Sequence, residues 1–543
     1  MSSSAATGSA ESQITITFQQ TTGAGPQPDI QTEECDYLVI ACDPSFLVGI
    51  CDYSDFEKSL FQKFVNFTFH TTLLKVEVNA EKQADHGVIF APSILNGMVG
   101  GVYGYRNETA KKLGGVGNAV DGVKAANALA YNYVTVYQLV RTKDAPPEPD
   151  TFKHWIEDLM HAGLNKDVNW PYGSNYKILD SVTTPYFDHF SDAHLQDELP
   201  WRYLDIQGER NTLFVHASAS FESVVDIYQY INLLLDKENQ PVGAPENQHK
   251  RVVILGAGPS GLLFANALRN RGYTNVEIFE KTGRYGGKTH TKTLSQSLGG
   301  GNETPVVCEL GTCYLSPAYR DFVADMTPFL DGNREIGFGG AGGNFRGIMT
   351  KGQFPSEWQV APVVEYGKYI LLKAAAETGE DPNDDTAIVK RIQDDLRRYV
   401  QRHEAEMHGA KPMPLKPPKD FLRAPSSQTF LDFLSAKDKD GKDLKSLIGL
   451  LQFGYSVQGY GTLDHIPAYY GLVWFTPVVA QAISKALVNP NLNVVTAWEL
   501  GWGNLWAQMV KPNPGANMPP LQIRMNVDTL RIKRPSLANV AVT

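Results

Sequence analysis

Three glycines, Gly256, Gly258 and Gly261, follow the apolar run Val252 to Leu255 and open onto the helical pattern that starts at Pro259 and Ser260. A short apolar run of this kind suits a buried parallel strand. The glycines then permit a tight turn, contact of a pyrophosphate with bare backbone, and close packing of helix on strand. Pro259 and Ser260 fall in the first helical turn, where unpaired N–H groups and the positive end of the helix dipole attract phosphate. Glu280 closes the next strand about 20 residues on, where a carboxylate accepts both ribose hydroxyls and repels a 2′-phosphate. These residue types at this spacing point to a bound dinucleotide.

Lys281, Arg284, Gly286, Gly287 and Lys288 come directly after that carboxylate, and Glu309-Leu-Gly311 follows. The three links in a row resemble the flavin-containing amine oxidases and their relatives. The resemblance implies that Gly286 and Gly287 lie over the flavin phosphates and that the basic residues beside them help neutralise the charge. It also implies that Glu309 to Gly311 runs beside the isoalloxazine, and it favours FAD over NAD. No cysteine falls at a position assignable to covalent flavin attachment, so the expected FAD is non-covalent.

Further along, Phe453-Gly-Tyr455, Ile466-Pro-Ala-Tyr469-Tyr470, Trp474 and the Trp-x-x-Gly-x-x-x-Leu pattern containing Trp502 are similar to flavin-dependent polyunsaturated fatty acid double-bond isomerases. In that comparison Val527 stands where backbone contacts hold the adenine edge, and Ala217 and Ser218 stand in a small-residue turn near the pyrophosphate. The chain has His216-Ala217 where relatives carry Gly-Glu. What the resemblance implies is a redox-neutral isomerase in which flavin N5 takes a hydride from the methylene between two double bonds and returns it elsewhere, bringing the double bonds into conjugation. A long acyl chain needs an apolar tube with one polar anchor. Phe453, Tyr455, Tyr469, Tyr470, Trp474 and Trp502 are candidates for the tube. Arg346 leads Arg320 and Lys351 as the carboxylate anchor because it closes the glycine-rich segment from Gly337. His70, His216, His290 and His465 lie in segments placed near the site. An FAD-dependent amine oxidase or related dehydrogenase, and a non-catalytic flavin- and lipid-binding protein, are the alternatives.

The elements that position these residues run in an unusual order. The 543 residues exceed one core, and 42% hydrophobic with 20% charged residues is an ordinary globular composition. A net charge of −10 argues against nonspecific nucleic-acid binding. Five cysteines without C-x-x-C spacing indicate neither a disulfide framework nor a zinc site, so no metal is expected and a reducing, cytoplasmic location is. No segment has the length of a membrane span.

The expected fold is mixed α/β: an FAD-binding Rossmann-like domain of the flavin amine oxidase type with a substrate domain and a helical cap, circularly permuted. Residues 1–13 read as a flexible tail, 14–235 as the second half of the FAD fold plus part of the substrate domain, and 236–250 as a linker. Residues 251–330 read as the βαβ core, 331–490 as substrate and cap region, and 491–543 as the return to the FAD domain. Strands are expected at Ile14 to Phe18, Tyr37 to Ala41, Thr72 to Val78, Val527 to Ile532 and Asn539 to Thr543. Helices are expected around Ala125 to Leu139, from Phe221 to Leu235, Val363 to Thr378 and Asp385 to Glu406, and loops between Trp155 and Trp201. If the order is permuted, Tyr37 to Ala41 shares a sheet with Val252 to Leu255, and Ile14 to Phe18 lies beside the 527–532 strand.

Overall fold

The computed structural model describes residues 13–21, 29–78, 87–90, 102–114, 119–141, 154, 172–237, 240–297, 303–337, 346–349, 363–407, 429–489, 492–512 and 519–536. The expected tail, most of the glycine-rich segment after Gly337, Lys351, and the strand expected from Asn539 lie outside the described residues. The fold is mixed α/β in two compact units. One comprises Met1–Phe64, Asp197–Gly287 and Leu505–Thr543, the other Val65–Gln196 and Lys288–Asn504. Strands are numbered in chain order; β14 (Glu335–Gly337) and β17 (Thr496–Trp498) form an antiparallel pair of their own.

In the first unit, β3 (Tyr37–Ile40), β9 (Thr212–Phe214), β10 (Val252–Leu255), β11 (Val276–Phe279) and β18 (Gln522–Arg524) form a parallel sheet in the order β18-β11-β10-β3-β9. Every residue of β3 and β10 is buried, the behaviour of apolar runs covered on both faces. Arg524, Phe279, Leu255, Ile40 and Phe214 stand in one row of the register. Past that row the ladder runs one residue further: the amides of Glu280, Gly256, Ala41 and Val215 donate to the carbonyls of Arg524, Phe279, Leu255 and Ile40. The strands therefore end together along one edge.

The central strand of a second, antiparallel sheet is β1 (Ile14–Gln20), between β2 (Ile30–Cys35) and β19 (Val527–Lys533). Ile14, Ile16 and Phe18 alternate inward, and Phe18 meets Phe279 at 4.9 Å between ring centroids. Arg251, Glu33, Arg524 and Glu277 alternate in a closed ring of ion pairs that links the two sheets. Both pairings expected for β1 and β3 are present. The polar connection 236–250 is fastened rather than loose: Val242 is buried, the Gly243 amide donates to the Tyr273 hydroxyl at 2.8 Å, and Gln248 donates to the Arg271 carbonyl.

The second unit is built on a seven-stranded sheet in the order β16-β15-β5-β6-β7-β4-β8. Its long members are β4 (Val65–Val78), β7 (Tyr131–Arg141) and β8 (Tyr172–His189), joined by β5 (Val88–Phe90), β6 (Val102–Asn107), β15 (Arg346–Met349) and β16 (Val363–Glu365). Two sequence expectations fail here. The helix expected around Ala125 to Leu139 ends at Asn127, and β7 takes over, because its alternating aromatic and β-branched residues fit a strand held between β4 and β6. The loops expected between Trp155 and Trp201 contain β8, whose pairing with β4 shifts register at three places and so blurs the period of two.

The hairpin of β12 (Thr291–Ser297) and β13 (Glu303–Glu309) belongs to this unit. Val306, Cys308 and Leu310 pack with Leu73 and Tyr133, and the Tyr133 hydroxyl donates to the Ser295 carbonyl. The two compact units divide at Gly287, and residues 491–504 fall in the second. Its helices include Tyr366–Thr378, Asp385–Met407, Ala468–Trp474 and Pro477–Ala486. Among the described residues no helix is long and apolar enough to cross a membrane.

Candidate functional site

At the strand-end edge of the first unit the glycines are required by contact. A Cβ on Gly261 would stand 2.0 Å from the Gly256 carbonyl oxygen, and one on Gly287 would stand 2.9 Å from the Gly258 Cα. Gly256 has φ +104°, a conformation L side chains rarely adopt, and its backbone faces Ala41 and Cys42 of the neighbouring strand end. Gly258 caps the twelve-residue helix Pro259–Asn270 without any side-chain hydrogen bond, with Pro259 in the first turn and Ser260 buried. The Gly286 amide donates to the Ala257 carbonyl at 2.8 Å, laying the second glycine pair across the first turn. The result is a bare-backbone surface in front of a helix N-terminus, which suits a pyrophosphate.

Glu280 directly follows β11, beside this surface. Its Oε2 accepts from the Ala257 amide at 2.8 Å, and its Oε1 accepts from the Thr282 amide and hydroxyl, both at 2.7 Å. A carboxylate has roughly four acceptor sites. Three are taken by the chain, which leaves one for a further donor where the sequence suggested two. The Glu280 carbonyl accepts from the Val527 amide at 2.9 Å, which fixes Val527 against the same strand end. At the far side of the sheet, Ala217 and Ser218 form a buried turn directly after β9; the His216 Nδ1 accepts from the Ser218 amide at 3.3 Å. Lys281 points away, 78% exposed and paired with Asp528 at 3.3 Å, while Arg284 is half-buried. Thr282, Ala41 and Cys42 also lie at this surface, with little in the sequence to mark them. Thr282 carries only the faint signal of a hydroxyl two residues past an acidic strand end, and the other two become relevant only once β3 is known to pair with β10.

Lys288, Glu309 and Gly311 belong to the second unit. A Cβ on Gly311 would fall 1.8 Å from the Lys288 carbonyl oxygen, so this glycine serves a backbone crossing. Lys288 Nζ lies 5.4 Å from the centroid of the Tyr186 ring. Glu309 is buried, and both its oxygens hold chain donors: Oε1 accepts from the Trp502 amide at 2.8 Å, Oε2 from the Thr291 hydroxyl at 2.7 Å. Burial pushes its carboxyl up to about 7, with Lys111 and these hydrogen bonds pulling the other way.

The aromatic candidates separate. Tyr455 and Trp474 meet at 4.5 Å, Tyr460 joins both, and Tyr460 stacks on Tyr186 at 5.9 Å. Tyr469 and Tyr470 meet at 5.1 Å, and Tyr470 reaches the same group through Phe187. Phe453 lies elsewhere, packed on Tyr369 in a cluster with Val88, Phe90 and Ile348, and Trp502 lies among Tyr319, Phe322 and Trp498. Phe187 holds φ +56°, a strained value for a bulky residue, at a break in the β4–β8 register. Arg346 opens β15 opposite Val88. Arg320 is 85% exposed and paired with Asp321, a surface charge. His70 is buried between the Thr183 and Thr72 hydroxyls, its pKa lowered by burial to about 4, and His465 sits beside Asp464. The five cysteines are free thiols.

Comparison with known proteins gives a match of residues 254–326 to the NAD(P)-binding Rossmann-like domain. A polyenoic fatty acid isomerase from Ptilota filicina is 27% identical over 237 residues, covering 42% of this chain and 41% of that protein. An L-amino-acid oxidase from Neurospora crassa is 43% identical over 65 residues, 12% of this chain and 9% of that one. A flavin-dependent L-tryptophan oxidase from Lentzea aerocolonigenes is 38% identical over 87 residues, 15% and 17% of the two chains. The chain thus spans about two fifths of the first relative's length and less than a fifth of the others'.

Proposed function

We propose that this chain, which fits the flavin amine oxidase superfamily near its fatty acid isomerases, binds FAD non-covalently and moves the double bonds of a polyunsaturated fatty acid into conjugation. The observation that carries the flavin half is the bare-backbone surface made by Gly256, Gly258, Gly261 and Gly287 beside the helix N-terminus, with Glu280 at the adjoining strand end. These residues fit a dinucleotide: a Cβ at any of three glycine positions would fill the surface or break the turn. Burial raises the thiols of all five cysteines, which disfavours the thiolate a covalent link to cysteine would use and supports a non-covalent cofactor.

When bound, the flavin would supply a hydride acceptor and donor. The chain's own part is to hold the acyl chain and exclude water. The run of contacts from Tyr455 and Trp474 through Tyr460 to Tyr186 and Phe187 gives the second unit a continuous aromatic wall suited to that task. Support for a fatty acid is the relationship to the polyenoic fatty acid isomerase. A second reading, an oxidase of amino acids or amines, is favoured by the oxidase relatives. Peroxide measurement in air separates the two: the isomerase forms product without matching hydrogen peroxide, whereas peroxide equal to product would establish the oxidase.

The fold order belongs to the same proposal. Residues 251–543 correspond to the first part of the superfamily's fold and residues 1–235 to the second. The pairing of β3 with β10 and of β1 with β19 supports that permuted arrangement.

A further inference from the structure

In the second unit, Tyr103 on β6 and Tyr137 on β7 have buried hydroxyls with no hydrogen-bond partner among the described residues. A buried donor is nearly always satisfied, so a pair left open on adjacent strands asks for a ligand. Their placement is specific. Val102 pairs with Gln138 and Gly104 with Tyr137, which makes Tyr103 the extra residue of a β-bulge. The bulge brings its ring to 6.3 Å from that of Tyr137, and Phe69 packs against both, at 6.3 and 6.2 Å. Each hydroxyl also feels the Cys313 thiol and the Tyr314 hydroxyl, so both phenol ends approach the same stretch of chain.

Behind them is a buried cation. Arg106 is fully buried with its guanidinium carbon 5.5 Å from the centroid of the Tyr137 ring; it donates to Glu108, to the Glu309 carbonyl at 2.9 Å and to Cys313 Sγ at 2.7 Å. Lys111 takes the other Glu108 oxygen at 2.8 Å. Two cations thus face one ionised carboxylate, and Glu309 is the further acid among them. Beyond Phe69 the same sheet face continues to Tyr186, at 5.1 Å, and so to the aromatic wall through Tyr460.

We propose that Tyr103 and Tyr137 bind the carboxylate of an acyl ligand through their two hydroxyls, on the sheet face that Arg106 backs. This rests on the fatty-acid reading above and gives it the polar anchor that Arg320, out on the surface, does not supply. The ligand's apolar chain would then run along Phe69 and Tyr186.

The test is calorimetric titration of the flavin-loaded protein with an eighteen-carbon dienoic acid and with the alcohol of the same chain. The unaltered protein should prefer the acid. Tyr103→Phe and Tyr137→Phe should each weaken the acid about tenfold or more, and the double variant should bind acid and alcohol alike. Melting temperatures should not fall, because each change removes a hydroxyl that has no partner among the described residues. Unchanged acid affinity in the double variant, or an equal loss for acid and alcohol, would overturn the proposal while leaving the fatty-acid reading standing. A lower melting temperature with unaltered acid affinity would assign the hydroxyls to the fold and overturn it too. Failure of the unaltered protein to bind either compound would bring down both.

Discussion

At the scale of single residues, the Glu280 carboxylate proposed for the ribose also fastens the Ala257 and Thr282 amides. Glu280→Ala should therefore weaken FAD by on the order of 1.5–3 kcal/mol, read as a rise in the dissociation constant by flavin fluorescence. Unaltered affinity would remove it from the ribose site. Gly261→Ala pushes a methyl onto the Gly256 carbonyl, at a cost of about 1–3 kcal/mol or more, and should yield protein with less flavin and a lower melting temperature. Glu309 gives a pH signature. Its carboxyl is raised from 4.5 to about 7, so its favourable contribution is complete below the unfolded value and is lost as pH climbs through 7. Glu309→Gln should gain on the unaltered protein between about pH 5 and pH 8, by on the order of 3 kcal/mol at the upper end. Urea denaturation at both values measures this, and a stability difference independent of pH would contradict the account.

At the scale of elements, β19 is held to the first unit by Arg534, whose buried guanidinium donates to both oxygens of Glu57 at 2.8 and 2.7 Å, next to Asp52. Glu57 sits in the first helical turn of Asp55–Phe61, in a capping box with Ser54. Removing one partner of such a pair strands the other charge. Arg534→Ala should cost about 3–5 kcal/mol in urea unfolding, while replacing both by apolar residues of similar volume should recover most of it. The elements legible in the sequence were those with a local signature: β10 and its glycine turn, β3 as a buried run, the helix Val224–Leu235 after a small-residue turn. What was hidden depended on partners distant in the chain. The residues of β7 read as a continuing helix because its neighbours β4 and β6 lie outside its own window. The bulge at Tyr103 exists only in register with Gln138 and Tyr137. Phe453 and Trp502 shared an aromatic signature with Tyr455 and Trp474, and aromatic type alone does not say which core a ring joins.

At the scale of the whole molecule, Lys533 at the end of β19 lies opposite Thr15 near the start of β1, as in a hairpin whose turn has been opened. A chain reordered to run from 246 to 543 and then from 1 to 245 would close that hairpin and open the connection at exposed Pro245 and Glu246. It should still fold and bind flavin, with some stability lost because Val242 and Gly243 anchor the new end. A reordered chain that cannot hold flavin would count against the permuted reading. The claim on which the rest depends is the reaction itself. It is tested most directly by mixing the oxidised flavoprotein with a polyunsaturated fatty acid under anaerobic conditions and following the ultraviolet and visible spectrum. The account predicts conjugated diene or triene absorbance rising over many turnovers while the flavin ends oxidised; flavin that bleaches once, stays reduced until oxygen is admitted and yields no conjugated product would contradict it.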